Sequence, residues 1–191
     1  SARRAVPRHR PPTYFMNSLL AESRSPGYMP EAKSTEWGTP WHIFNPLHNE
    51  FSFTLDVAAR KWNTKIPERY FTPELNGLGQ SWRGETAWCN PPYGADNIAL
   101  WLQKASRERE HGTTTVLLLP STTETKWFHH HVWDAQANRA RPGVELRFFE
   151  KRITFIAPPG MTSTGNVKGS ILVIVRPVIP GVHLPCHFCG Q

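Results

Sequence analysis

Seven consecutive residues, Thr113 to Leu119, are β-branched or apolar, and Pro120 follows them. Such a run fits a strand whose two faces are both covered, not one that turns a polar face to water. It therefore demands a layer of structure on each side. The segment before it supplies a candidate. From Asp96 to Glu110 the apolar residues Ile98, Trp101, Leu102 and Ala105 follow the i, i+3, i+4, i+7 spacing, with Lys104, Arg107, Glu108 and Arg109 between them. That spacing predicts a helix, and Gly112 is its stop.

The same alternation extends in both directions. Thr39-Pro40 opens a short helix carrying Trp41, Phe44 and Leu47, with Thr39 as N-cap and Pro40 in the first helical position. Phe51 to Val57 reads as a buried strand, Tyr70-Phe71 as part of a short one, and Thr86 to Cys89 as another. A third helix is expected over about 124–138, then strands at Val144–Phe149 and Ser170–Val175. Strands alternating with helices imply an α/β fold around a mostly parallel sheet with helices on both faces. Ligands in such folds sit at the carboxyl ends of the strands.

One of those ends is chemically unusual. Thr86–Cys89 runs into Asn90-Pro91-Pro92-Tyr93-Gly94. The prolines lack an N–H and fix φ, so the loop leaves the sheet. The Asn90 amide oxygen and the Pro91 carbonyl are then acceptors at the strand end, matched to the two donors of a planar exocyclic amine. Tyr93 offers a face for a base to stack on. The amine is neutral, so proximity and orientation suffice and no strong base is required. A second strand end places Asp56 before the small residues Ala58 and Ala59, which allow a ligand close approach. Asp56 is suited to a cationic ammonium, to a ribose hydroxyl, or to capping a helix. The segment Gly77-Leu78-Gly79 lacks the remaining glycine of a dinucleotide loop and joins no clear strand to a helix.

These segments, in this order, resemble the phage-type DNA N6-adenine methyltransferase (Dam) family. The likeness spans Thr35 to Pro177. It rests on Trp37-Gly38-Thr39-Pro40, Phe53 to Ala59, Asn63, Tyr70-Phe71-Thr72, Gly77-Leu78 with Gln80 and Trp82, Trp88 to Gly94, Trp101 with Lys104-Ala105, Leu119-Pro120, and Trp127-Phe128-His129. The resemblance implies a Rossmann-like methyltransferase fold that uses S-adenosylmethionine and acts on N6 of a flipped-out adenine in double-stranded DNA. Asn90, Pro91, Pro92 and Tyr93 match the catalytic loop. Trp37, Thr39, Pro40, Asp56, Ala58 and Asn90 match the cofactor's surroundings. The family's acidic position before Gly77-Leu78 is Asn76 here, and Glu74 is a nearby carboxylate. The same loop serves methyltransferases of cytosine N4, RNA bases or protein glutamine. A DNA-binding module without turnover is the alternative from another class.

Charge agrees with a polyanionic partner. The formal net charge is +7 over 191 residues. Arg3, Arg4, Arg8, Arg10, Arg24 and Lys33, against Glu22 and Glu31, place much of it in the first 33 residues. This gives a basic, Pro/Arg-rich arm over 1–34, a methyltransferase domain over 35–177 and a tail over 178–191. No 18-residue apolar stretch and no leader-like apolar run is present, so a cytoplasmic protein is expected, in a bacterial host if phage-encoded. A monomer is compatible with this reading.

No metal site is assigned. His129–His131 are adjacent on an expected helix and do not converge. His183, Cys186, His187 and Cys189 are zinc-type ligands within seven positions, but the spacing is compressed for wrapping one tetrahedral ion, so a free thiol tail is expected over a zinc site. Trp127 and His129 are candidates to line the base pocket instead. The basic step Lys151-Arg152 and the loop from Gly160 to Lys168 are candidate DNA contacts.

Overall fold

The computed structural model describes residues 36–162 and 168–178. The chain divides into two units, Ser1–Ala32 and Lys33–Gln191, and every described residue belongs to the second. The basic arm, the tail cluster of His183, Cys186, His187 and Cys189, and most of the 160–168 loop lie outside the described residues.

The described elements are α1 (Trp41–Phe51), β1 (Leu55–Asp56), β2 (Thr86–Cys89), α2 (Ala95–Glu108), β3 (Thr114–Pro120), α3 (Lys126–His131), β4 (Trp133–Asp134), β5 (Arg139–Ala140), β6 (Val144–Phe148) and β7 (Ser170–Val175). Five strands form one sheet in the order β1-β2-β3-β7-β6. β1 pairs parallel with β2, and β2 with β3. β7 pairs antiparallel with both β3 and β6. The sheet is thus mixed. Four strands run one way and only β7 is reversed, so half of the pairings depart from the mostly parallel sheet expected. Beyond β1, Tyr70 makes a parallel bridge with Asp56 in place of a full strand.

Both faces are covered, as the β3 pattern demands. Val116 and Leu118 join Phe44, Leu47, Phe53, Trp88, Leu172 and Ile174 on the α1 side. Leu117 and Leu119 point the other way, to Trp101 and Leu102 of α2 and Trp127 and Phe128 of α3. Period-2 alternation on the central strands therefore sorts side chains into two cores. At roughly 1.5–3 kcal/mol for each large side chain buried, these cores dominate the favourable side of the folding balance.

Several local expectations change. α1 continues through Phe51 and ends where Ser52 turns left-handed at φ 53° and its N–H reaches His48 O. Only Leu55–Asp56 of the Phe51–Val57 run is strand. Pro40, not Thr39, occupies the N-cap, and no side chain caps the helix. The helix expected over 124–138 ends at His131, and the β4–β5 hairpin takes the rest. Asp134 explains the change: its Oδ1 accepts the N–H groups of Gln136 and Ala137 (both 3.0 Å), which competes with helical pairing. Among the described residues no helix is long and apolar enough to cross a membrane.

Candidate active site

The carboxyl ends of β1 and β2 lie side by side, because the two strands pair in parallel with Asp56 opposite Trp88. The segments that leave these two strands build the site. After β1 the chain turns through Val57, Ala58 and Ala59. After β2 it enters Asn90-Pro91-Pro92-Tyr93. Residues 36–39 cross above them, pinned by Gly38, whose N–H and carbonyl both bond to Ile156 (2.9 and 2.8 Å).

Two depressions meet there. A cleft of about 160 Å³ is lined by Val57 to Arg60, by Phe71 to Pro73, by Asn76 and Gly77, and by Glu36, Asn63, Asn90, Pro92 and Trp101. A notch of about 10 Å³ is lined by Trp37, Gly38, Thr39, Asp56, Ala58, Asn63, Trp88 and Asn90. Ala58, Asn63 and Asn90 belong to both, so Asn90 stands where the two join.

The Asn90 amide is oriented by one bond. Its Nδ2 donates to the Trp37 carbonyl at 2.6 Å. A carbonyl accepts only, so the amide must turn its nitrogen toward Trp37 and its oxygen away. Oδ1 remains as the acceptor. Tyr93 is fixed from below: its hydroxyl donates to Leu118 O of β3 at 3.3 Å, and its ring meets Phe155 edge to face. Burial pushes its phenol pKa well above the usual value. Tyr93 is therefore a neutral, anchored ring that is only partly exposed.

Asp56 is 2% exposed. Its carboxylate accepts the N–H of Lys65 at 3.0 Å, that of Ala58 at 3.4 Å and the hydroxyl of Thr64 at 3.4 Å. Burial pushes its pKa up to about 6, and those hydrogen bonds pull the other way. Burial likewise raises the Cys89 thiol, with the Asp56 charge acting in the same direction, so Cys89 is an inert core residue. Thr39 is also 2% exposed, and its Oγ1 has no hydrogen-bond partner among the described residues. An unpaired buried hydroxyl costs on the order of 1–3 kcal/mol, so a polar partner at the notch would relieve it.

The structure brings Asn90, Trp37, Thr39, Asp56 and Ala58 together. Pro92 lines the larger cleft, whereas Pro40, Pro91 and Tyr93 line neither depression. Asn76 lines the cleft. Glu74 does not; it pairs with Arg60 at the surface. The carboxylate at the cleft is Glu36, whose Oε1 and Oε2 both accept from the Arg60 guanidinium. Glu36 and Arg60 carry no periodic or motif signal, so sequence spacing could not pair them. Trp101 reads from sequence as one more apolar helix position, yet its indole reaches the cleft beside Gly77. Gly77 itself is obligatory, since a Cβ there would lie 2.2 Å from Val57 O. Trp127 and His129, candidates for the base pocket, line a different groove and neither of the two depressions around Asn90.

Comparison with known proteins places this geometry in context. The family model for DNA N-6-adenine-methyltransferase (Dam) matches residues 27–184. A DNA N-6-adenine-methyltransferase of Haemophilus phage HP1 is 34% identical over 147 residues, which is 75% of this chain and 80% of the relative. One from Escherichia phage T1 is 29% identical over 170 residues, covering 83% of this chain and 70% of the relative.

Proposed function

Because the chain belongs to the DNA N-6-adenine-methyltransferase (Dam) family, we propose that it methylates N6 of adenine in DNA, with S-adenosylmethionine as donor. The observation that carries the reading is Asn90. Its nitrogen is committed to Trp37 O, so a pure acceptor faces the junction of two depressions at the strand ends.

The residues present suit the donor. Thr39 offers an unpaired buried hydroxyl, and Asp56 a carboxylate for an ammonium group. Phe71 and Trp101 offer apolar surface for a planar ring, beside the polar groups of Thr72, Asn76 and Glu36. When bound, S-adenosylmethionine supplies an electrophilic methyl carbon whose sulfur departs as a thioether. The sheet, with four strands one way and β7 reversed, supports the Rossmann-like methyltransferase reading of the fold.

The chain's own work is binding and orientation. Asn90 Oδ1 and the Pro91 carbonyl accept the two N–H groups of the target amine. Held so, the nitrogen loses conjugation with its ring and directs its lone pair at the methyl carbon. The N–C bond forms, the C–S bond breaks, and the extra proton on nitrogen passes to solvent. Neither acceptor acts as a base. Effective molarities from such positioning can reach about 10⁵ M or more. An adenine inside a duplex must first be flipped out at a cost of a few kcal/mol, and contact with the exposed part of the Tyr93 ring offsets some of it.

Asn90→Ala tests this directly. Methyl transfer should fall by roughly 10²-fold or more, as for loss of a positioned polar group at a reacting centre. Circular dichroism should match the parent, and calorimetry should still show S-adenosylmethionine binding, weakened far less than transfer, because Asn90 is one of many residues that line the two depressions. Retention of most of the activity would remove Asn90 from the chemistry.

A further inference from the structure

The stretch 126–141 contributes nothing to either depression of the active site. It leaves β3 at the carboxyl end, the side on which β1 and β2 also end. α2, α3 and the chain after β5 enclose a separate, open groove of about 550 Å³. Ala99 and Trp127 are its apolar surface. Lys126, Arg141 and the histidines His129 to His131 supply the rest, and no lining residue is acidic.

Arg141 is held in place with donors to spare. The Arg141 Nε and Nη2 both donate to His129 O, at 3.2 and 2.8 Å, which fixes the guanidinium against α3 and leaves further N–H donors. Among the described residues neither Lys126 nor Arg141 forms a salt bridge with a carboxylate. Asp134 is close enough to feel Arg141 and Arg139, but its Oδ1 is engaged by the backbone N–H groups of Gln136 and Ala137.

The β4–β5 hairpin stands beside this groove, outside the main sheet. Its base is held by Trp133 stacked on Phe128 at 6.5 Å and by the Arg141 N–H on Val132 O at 2.9 Å. Its tip exposes Gln136, Asn138 and Arg139. A two-stranded ribbon fits the DNA major groove, and Gln, Asn and Arg can each form paired hydrogen bonds with base edges.

We propose that the β4–β5 hairpin and the basic groove beside it form the surface that reads substrate DNA. Lys126, Arg141 and the histidines take the phosphodiester backbone. Gln136, Asn138 and Arg139 take base edges and set which adenines are methylated. The inference rests on the reading of DNA as substrate and adds the recognition element to it.

Two pairs of exposed residues test it in the full chain: Lys126→Ala with His130→Ala, and Gln136→Ala with Arg139→Ala. Duplex affinity is measured by fluorescence anisotropy across a salt series. Methylated adenines are mapped by sequencing, and S-adenosylmethionine affinity is the control for folding. The first pair should weaken binding about tenfold on every sequence and reduce the log–log salt slope by about 1 to 2. The second should alter the set of methylated sites. Both should keep the parent's S-adenosylmethionine affinity. If the parent methylates DNA while both variants match it in affinity, slope and sites, the surface is rejected and the active-site reading stands. If the parent transfers methyl groups to RNA or protein and not to DNA, the substrate reading fails and this inference with it.

Discussion

Asp56 is the residue whose ionisation most directly reports on the site. Its carboxyl is raised from 3.8 to about 6 by burial. A carboxyl raised in the folded state binds more protons there than in the unfolded chain, between about pH 4 and pH 6. Its contribution to stability is therefore full below about pH 4 and is lost as pH rises through 6, by on the order of 2–3 kcal/mol. Urea unfolding at pH 4.5 and pH 7.5 should show this loss, and Asp56→Asn should remove that part of the pH dependence. An ammonium group near Asp56 would favour its charged form. S-adenosylmethionine should then bind more tightly at pH 7.5 than at pH 5, with proton release below pH 6. An affinity flat across this range would separate Asp56 from the ammonium. At this scale much of the site was legible: Asn90, Asp56 and Thr39 stand at strand or helix ends that the sequence marks with prolines and small residues. What Thr39 does there was not legible, because an N-cap and a cavity-lining hydroxyl share the same sequence signature.

At the scale of elements, the 3-10 turn Gly77–Gly79 couples the cleft to the core. Gly77 lies against Val57 O and the Trp101 ring, and its carbonyl accepts the Trp82 indole N–H at 2.9 Å. Gly77→Ala must push the turn away from β1, because the atom it meets is backbone. We expect a loss of about 2–4 kcal/mol, within the range of core overpacking and strain, and weaker S-adenosylmethionine binding. Denaturant titration and calorimetry would check both; an unchanged midpoint would show that the turn moves freely. The elements also mark where sequence reasoning stopped. Thr86–Cys89 and Ser170–Val175 match their expected bounds because each is a central strand with apolar residues on both faces. Phe51 and Phe53 instead stack on one another at 5.6 Å across the end of α1, and an apolar run of this length does not distinguish helix end from strand. The 126–140 segment has apolar residues at helical spacing, but Asp134 and the left-handed Asn138 at φ 49° close a hairpin.

At the largest scale, the described residues form a mixed sheet with a separate core on each face, and the Thr113–Leu119 run foretold that layering. It did not foretell the reversal of β7, since a strand buried on both faces reads alike in either direction. Charge acts at this scale too. The net +7 is concentrated toward the first 33 residues, and we propose that they add phosphate contacts. Replacing Arg3, Arg4, Arg8 and Arg10 with Gln in the full chain should lower the salt slope of DNA binding by about 3 to 4 if each meets a phosphate. An unchanged slope would leave the arm without a role in binding. The central claim is that Asn90 and Pro91 present an adenine amine to a methyl donor. Its most direct measurement is transfer from labelled S-adenosylmethionine to unmethylated DNA, with digestion to nucleosides and mass spectrometry. Label should appear in N6-methyladenine and be lost in Asn90→Ala. Label in N4-methylcytosine alone, or none in DNA from a protein that binds the donor, would contradict the claim.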